Sequence, residues 1–217
     1  MKIETNTLNV LKNFAKINPS IIINEGNVLK TMSPSKTIMA KAVVNTEFEK
    51  RFAIYNIDRF ISAVSMFTNP NFVFSDSHFK IVDENMTSRM NYADENSITK
   101  LPEKEIKLPS VDVTFKFTNE HFKVVERAAG VLQLPEVVVT GDGKNIYFQA
   151  EDSKVKNGDH FSLTLGETDR VFKAIFKIDN LKIIPGEYEV SLSSKGLAHF
   201  SGKDIEYWIA IEQSSTF

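Results

Sequence analysis

Cysteine is absent from the 217-residue chain. That excludes a disulfide framework, a thiolate metal site and a cysteine nucleophile, and it suits a reducing compartment. Histidine is scarce: His78, His121, His160 and His199 are scattered, and none has the i, i+4 or short-spaced partner of a metal site. Tryptophan occurs once against seventeen phenylalanines, so the core leans on Phe. No apolar run reaches the length of a bilayer span, and Met1-Lys-Ile-Glu-Thr-Asn lacks the apolar run of a secretion signal. No nucleophile–base arrangement is present either. Gly141-Asp-Gly-Lys lacks the strand-to-helix context of a phosphate loop and reads as a turn. The acids Asp83, Glu84, Glu103 and Glu105 fall in turns or a connector and read as solvated. The residues predict a non-enzyme with no cofactor or metal and no membrane association. Net charge is −2, so any contact with DNA has to use a segregated basic surface.

What is present is a helix near the start and then mostly strand. Read as a helix, residues 5–17 put Leu8, Leu11, Phe14 and Ala15 on one face and Asn9, Lys12, Asn13 and Lys16 on the other. Thr5 or Asn6 is the expected cap. Residues 20–24 and 28–32 read as a strand and its return across Glu25-Gly26-Asn27. Strands follow over 37–44 and 51–55, then a helix over about 56–67 with Phe60, Ile61 and Val64 inward and Arg59, Ser62 and Ala63 outward. Residues 71–75 and 78–82 form a hairpin, and 86–92 is a less apolar strand. Residues 97–110 carry two prolines and mixed charge, which marks a connector. The domains are therefore expected at 1–109 and 110–217.

The second half replays the first. A strand over 112–117 leads into a helix over about 118–132, with Phe122, Val125, Ala129 and Leu132 inward and Lys123 and Arg127 outward. Residues 136–140 and 145–149 flank a strong hairpin turn. Strands over 160–165 and 170–178 precede a short helical stretch over 179–184, stopped by Pro185-Gly186. Strands over 188–192, 198–201 and 207–211 close the chain. Four segments, starting near Lys2, Ala53, Lys116 and Lys177, share one plan: a strand end, small polar caps, then an apolar helix anchor. Their spacing of roughly 50 to 60 residues signals internal repetition. The fold class is α+β: two similar domains, each a pair of strand–helix–three-strand repeats. Lys12, Lys16, Arg59, Lys123, Arg127 and Lys182 project from the outer helix faces at comparable places in each repeat. Aligned, they would contact phosphates through charge without reading bases.

The chain resembles the DNA polymerase sliding clamps of T-even-type bacteriophages. The residues that carry the likeness are 11–18 (Leu-Lys-Asn-Phe-Ala-Lys-Ile-Asn), 55–60, 161–166 (Phe-Ser-Leu-Thr-Leu-Gly), 185–188 (Pro-Gly-Glu-Tyr) and 209–214. The resemblance implies a ring of three identical subunits, helices lining the hole and antiparallel sheets outside, around double-stranded DNA held without sequence preference. It implies an ATP-driven clamp loader, tethering of the replicative DNA polymerase by its C-terminal peptide, late-transcription factors as further partners, and the cytoplasm of an infected bacterial host. It matches Lys12 and Arg127 to basic inner-helix positions. It also implies edge-to-edge subunit joining, with Thr87, Met90, Asn91 and Tyr92 meeting His160, Phe161, Leu163 and Leu165 of the next copy. The polymerase peptide is expected in a pocket rimmed by Leu108, Val111, Tyr207 and Trp208. The rival readings are a phage structural or assembly protein with duplicated α+β domains, and a hydrolase of unfamiliar kind. A dimeric ring fits less well, because such chains carry three domains and this one has the length for two.

Overall fold

The first helix forms where its apolar spacing places it, but its start is held differently. In the computed structural model, which describes residues 1–102 and 104–217, α1 spans Thr5–Ile17. Its N-cap is Glu4, with no side-chain cap hydrogen bond, so neither Thr5 nor Asn6 caps it. The start is instead tied to strand β3 (Ile38–Phe48). The Glu4 N–H donates to Thr46 Oγ1 at 2.9 Å, and the Thr7 hydroxyl donates to the same oxygen at 2.9 Å. Thr7, Val10, Leu11, Phe14 and Ile17 are buried. Asn13 is buried with them, so the polar face is narrower than expected; Asn9, Lys12 and Lys16 do face solvent.

The chain divides into two compact units, Met1–Lys104 and Glu105–Phe217. In the first, β2 (Gly26–Met32) pairs with β3, and β1 (Ile21–Ile23) pairs with β4 (Phe52–Ile54). The expected hairpin of β1 with β2 does not form. Helix α2 (Ile57–Ser65) follows, capped by Asn56, whose side chain accepts the Arg59 N–H at 2.8 Å. A meander of β5 (Asn71–Phe74), β6 (His78–Asp83) and β7 (Met86–Asn91) completes the unit. Met1 lies beside β5, its carbonyl accepting the Phe72 N–H at 2.9 Å. The core is aromatic: the Phe79 ring lies 5.6 Å from Phe52 and 5.7 Å from Phe60, the latter edge-on. Such geometry favours the ring quadrupoles.

The second unit follows the same order. Strand β8 (Val113–Phe117) leads into α3 (Asn119–Leu132), which opens on a capping box: Thr118 Oγ1 accepts the His121 N–H and His121 Nδ1 accepts the Thr118 N–H, both at 3.3 Å. Phe122, Val125 and Ala129 are buried, but Leu132 is 39% exposed, because the helix unwinds at Gln133 in the left-handed conformation. Strands β9 (Glu136–Asp142), β10 (Asn145–Glu151), β11 (His160–Glu167) and β12 (Val171–Lys177) form one sheet in the order β11–β10–β9–β12. Gly141 sits where a Cβ would come within 2.6 Å of both the Phe172 ring and the Arg170 carbonyl oxygen. Strands β13 (Tyr188–Ser193), β14 (Leu197–Ser201) and β15 (Ile205–Ala210) run antiparallel in sequence order, and β8 pairs with β13.

The helix expected over 179–184 is absent. A single 3-10 turn, Ile178–Asn180, stands there. β-Branched Ile183 and Ile184 resist a helix, and Pro185 forbids its continuation. Lys182 is therefore not a helix residue, and it lies half-buried. The two units nonetheless share a plan. β11–β10 matches β3–β2 and β9–β12 matches β1–β4. The difference is that β9 and β10 are laddered throughout, whereas β1 and β2 are not.

Candidate nucleic-acid interface

Three helices carry the expected cations. On α1, Asn6, Asn9, Lys12 and Lys16 are exposed, and the helix has no acid from Thr5 to Ile17. Lys16 also lies in the last turn, where a cation complements the helix dipole, so dipole and solvation explain part of its placement. Helix α2 packs against α1 and presents Arg59 and Ser62, with Asp58 beside them. Helix α3 presents Lys123 and Arg127 one turn apart, but Glu120 and Glu126 are exposed on it too. The clearest unopposed positive face is therefore that of α1. Among the described residues, Lys12, Lys16, Arg59, Lys123 and Arg127 enter no ion pair, which leaves their charge available to solvent or phosphate.

The strands expected to join subunits both lie at sheet edges. Among the described residues, β7 pairs only with β6, and β11 only with β10. Each leaves one row of backbone N–H and C=O groups open, the template on which another strand pairs. Thr87, Asn91 and His160 are exposed, while Met90 and the alternating Phe161, Leu163 and Leu165 are half-buried. Tyr92 is also engaged within its own unit. Its ring packs 5.9 Å from Phe52 and 6.1 Å from Phe79, and its hydroxyl donates to the Ser75 carbonyl at 2.9 Å. It is thus half-buried against its own unit, and desolvation pushes its phenol pKa up.

The expected peptide rim is corrected more strongly. Tyr207 is fully buried, and its hydroxyl oxygen accepts the Ile184 N–H at 3.0 Å. Burial drives its pKa far up and that of neighbouring Tyr188 to about 12. Trp208 is also buried, stacked on His199 with ring centroids 4.7 Å apart. Successive strand residues point to opposite faces, so the two could not share one rim. Leu108 is half-buried and Val111 is 61% exposed.

The sequence reading missed a cavity of about 570 Å³ within the first unit, between β1, β2 and the segment 95–102. Asn18 closes one end. Its amide N–H groups donate to the Met32 carbonyl at 2.8 Å and to Thr99 Oγ1 at 3.2 Å, and its oxygen accepts the Ser20 N–H and hydroxyl, both at 3.0 Å. Arg51 stands at the other end, bonded to Asn24 and, at 3.0 and 2.6 Å, to Glu95. That pair raises the Arg51 pKa and lowers that of Glu95. In the sequence, Asn18-Pro-Ser only signals a helix stop. Its partner Thr99 lies 81 residues away, beyond any local pattern. Among the described residues, no group of three acidic or histidine side chains converges on a metal site, and no helix is long and apolar enough to cross a membrane.

Comparison with known proteins bears on this architecture directly. The family described as "gp45 sliding clamp, C terminal" matches residues 114–213. The sliding clamp of Escherichia phage RB69 is 31% identical over all of this chain and 99% of its own length. That of Enterobacteria phage T4 is 30% identical with the same coverage. Among solved structures, PCNA of A. fulgidus, in its structure with the C-terminal region of FEN-1, superposes with a TM-score of 0.67 at 15% identity, covering 94% of each chain. With the fold shared and the likeness running from end to end, the chain belongs to the family of phage sliding clamps.

Proposed function

We propose that this chain is the processivity clamp of a phage replisome. Three copies close into a ring around duplex DNA, opened by an ATP-driven loader, and the ring tethers the polymerase in the cytoplasm of the infected host. The observation that carries this reading is the end-to-end relationship to the RB69 clamp. Two features of the chain support the ring. The open edges of β7 and β11 sit on different units, so one copy offers one edge to each neighbour, the head-to-tail kind of contact from which rings are built. The cations of α1, with Arg59, Lys123 and Arg127, would face the duplex. A closed ring holds DNA topologically, so weak, salt-sensitive phosphate contact is sufficient, and an overall acidic chain repels DNA elsewhere.

The polymerase is held by its C-terminal peptide, as the C-terminal region of FEN-1 is bound to A. fulgidus PCNA. Leu108 and Val111 remain surface candidates for that contact. Late-transcription factors would use the same platform. The test has two readouts. Light scattering over a range of concentrations should give three times the 24.5 kDa chain mass. Clamp loaded on a nicked circle should be retained, and should be lost when the circle is linearised. A monomer at every concentration, with or without loader, refutes the ring, as does equal retention on both DNA forms.

A further inference from the structure

The cavity between β1 and β2 is unlike anything in the matching sheet of the second unit. There β9 and β10 are bonded from Glu136–Glu151 to Gly141–Ile146. In the first unit the chain turns at Asn24–Glu25, re-enters as β2 at Gly26 with φ +96°, and the two strands separate. β1 has its ladder only with β4 and β2 only with β3, so two open strand edges face one gap. The gap is framed rather than loose: the Asn18 network stitches one end and the Arg51–Glu95–Asn24 bonds the other. Its volume of about 570 Å³ lies within the roughly 300–1,000 Å³ of ligand sites.

The charge of the lining says what would fit. It has a surplus of cations: Lys30, Arg51 and Lys100 against Glu95. Arg51 is committed to Glu95, but Lys30 and Lys100 enter no ion pair among the described residues. Ile22 and Ile98 supply apolar contact between these charges.

We propose that this gap is a docking site for an extended acidic peptide from a partner protein, which adds as a strand between β1 and β2. Main-chain groups of the two edges bind the peptide backbone, the mode in which strand addition gives affinity and alternate side chains give selectivity. Lys30 and Lys100 select acidic side chains. The site lies wholly within the first unit and shares no residue with the peptide rim expected near Leu108 and Val111.

The test uses the full chain and a fluorescein-labelled octapeptide of alternating glutamate and valine, with a lysine–valine peptide as control. Anisotropy should show saturable binding of the acidic peptide only. Hydrogen exchange read by mass spectrometry should slow over residues 20–32 and not over β7 or β11. Lys30→Glu with Lys100→Glu should weaken binding about tenfold or more. These substitutions break no bond in the fold, so circular dichroism should be unchanged. The proposal is overturned by absence of saturable binding, by equal binding of both peptides, by protection at β7 or β11 instead, or by displacement of the peptide with a duplex oligonucleotide.

Discussion

Replacing Asn18 by alanine tests whether one side chain holds the end of α1, the end of β2 and the segment after the meander together. Asn18 is 3% exposed and makes four hydrogen bonds of 2.8 to 3.2 Å. Asn18→Ala strips the Ser20 N–H and the Met32 carbonyl of their side-chain partner. Both residues are buried, at 8% exposure each. A buried polar group left unpaired costs roughly 1–3 kcal/mol, and water entering the adjoining gap can recover part of that at Met32. The expected loss is therefore about 2–4 kcal/mol, a large share of the roughly 5–15 kcal/mol that holds a domain folded. Asn18→Asp separates bonding from volume. It keeps the shape but turns an oxygen, with no proton, toward the Met32 carbonyl, so it should be at least as damaging as alanine. Urea denaturation followed by circular dichroism is the assay, at one fixed protein concentration because association adds to apparent stability. A loss below about 1 kcal/mol for Asn18→Ala, or an aspartate variant as stable as the parent, would refute the reasoning.

Lys12→Glu with Lys16→Glu should leave thermal stability nearly unchanged, since both side chains are exposed and unpaired, yet should cut loader-dependent polymerase stimulation roughly tenfold on primed circular DNA; stimulation at the parent level argues against α1 facing DNA. Gly141→Ala should destabilise by about 1–3 kcal/mol, because the new Cβ meets the Phe172 ring and the Arg170 carbonyl, and a thermal melt reads this directly. Tyr188 and Tyr207 have pKa values raised by burial, so the fold favours their neutral forms. Their contribution to stability is intact below the ordinary phenol value of about 10 and is lost as pH climbs from there through about 12. Absorbance at alkaline pH should thus show these two phenols ionising together with unfolding; early, fold-independent ionisation of all five tyrosines would contradict the burial.

Local pattern revealed most of the element order, because helices at Thr5, Ile57 and Asn119 and the hairpins at 71–83 and 136–151 depend on near-neighbour spacing and turn chemistry. It failed where a distant partner decides. Asn13 has the spacing of an outer-face residue but is buried by the elements around it. Three β-branched residues, Ile21–Ile23, read correctly as a strand, but nothing local says that the strand pairs with β4 rather than β2. The stretch after Lys177 imitated the helix entries of the other repeats, and only Ile183, Ile184 and Pro185 argued against it. The exposed cations of α1, α2 and α3 were legible because solvent-facing residues follow helical phase, whereas Lys182, outside any helix, was not. The peptide rim was not, because whether Tyr207 and Trp208 face outward depends on what packs over a sheet.

The missing ladder between β1 and β2 also has a mechanical meaning. In the second unit a load applied to β12 passes through continuous backbone bonds to β11. In the first, the pairs β1–β4 and β2–β3 share no ladder: Asn18 bonds the Met32 carbonyl at the end of β2, and Arg51, just ahead of β4, bonds Asn24 in the turn between β1 and β2. The four strands of the second unit therefore share load through backbone bonds alone, whereas the first unit passes it between its two strand pairs through side-chain bonds, the packing of α1 and the turn after β1.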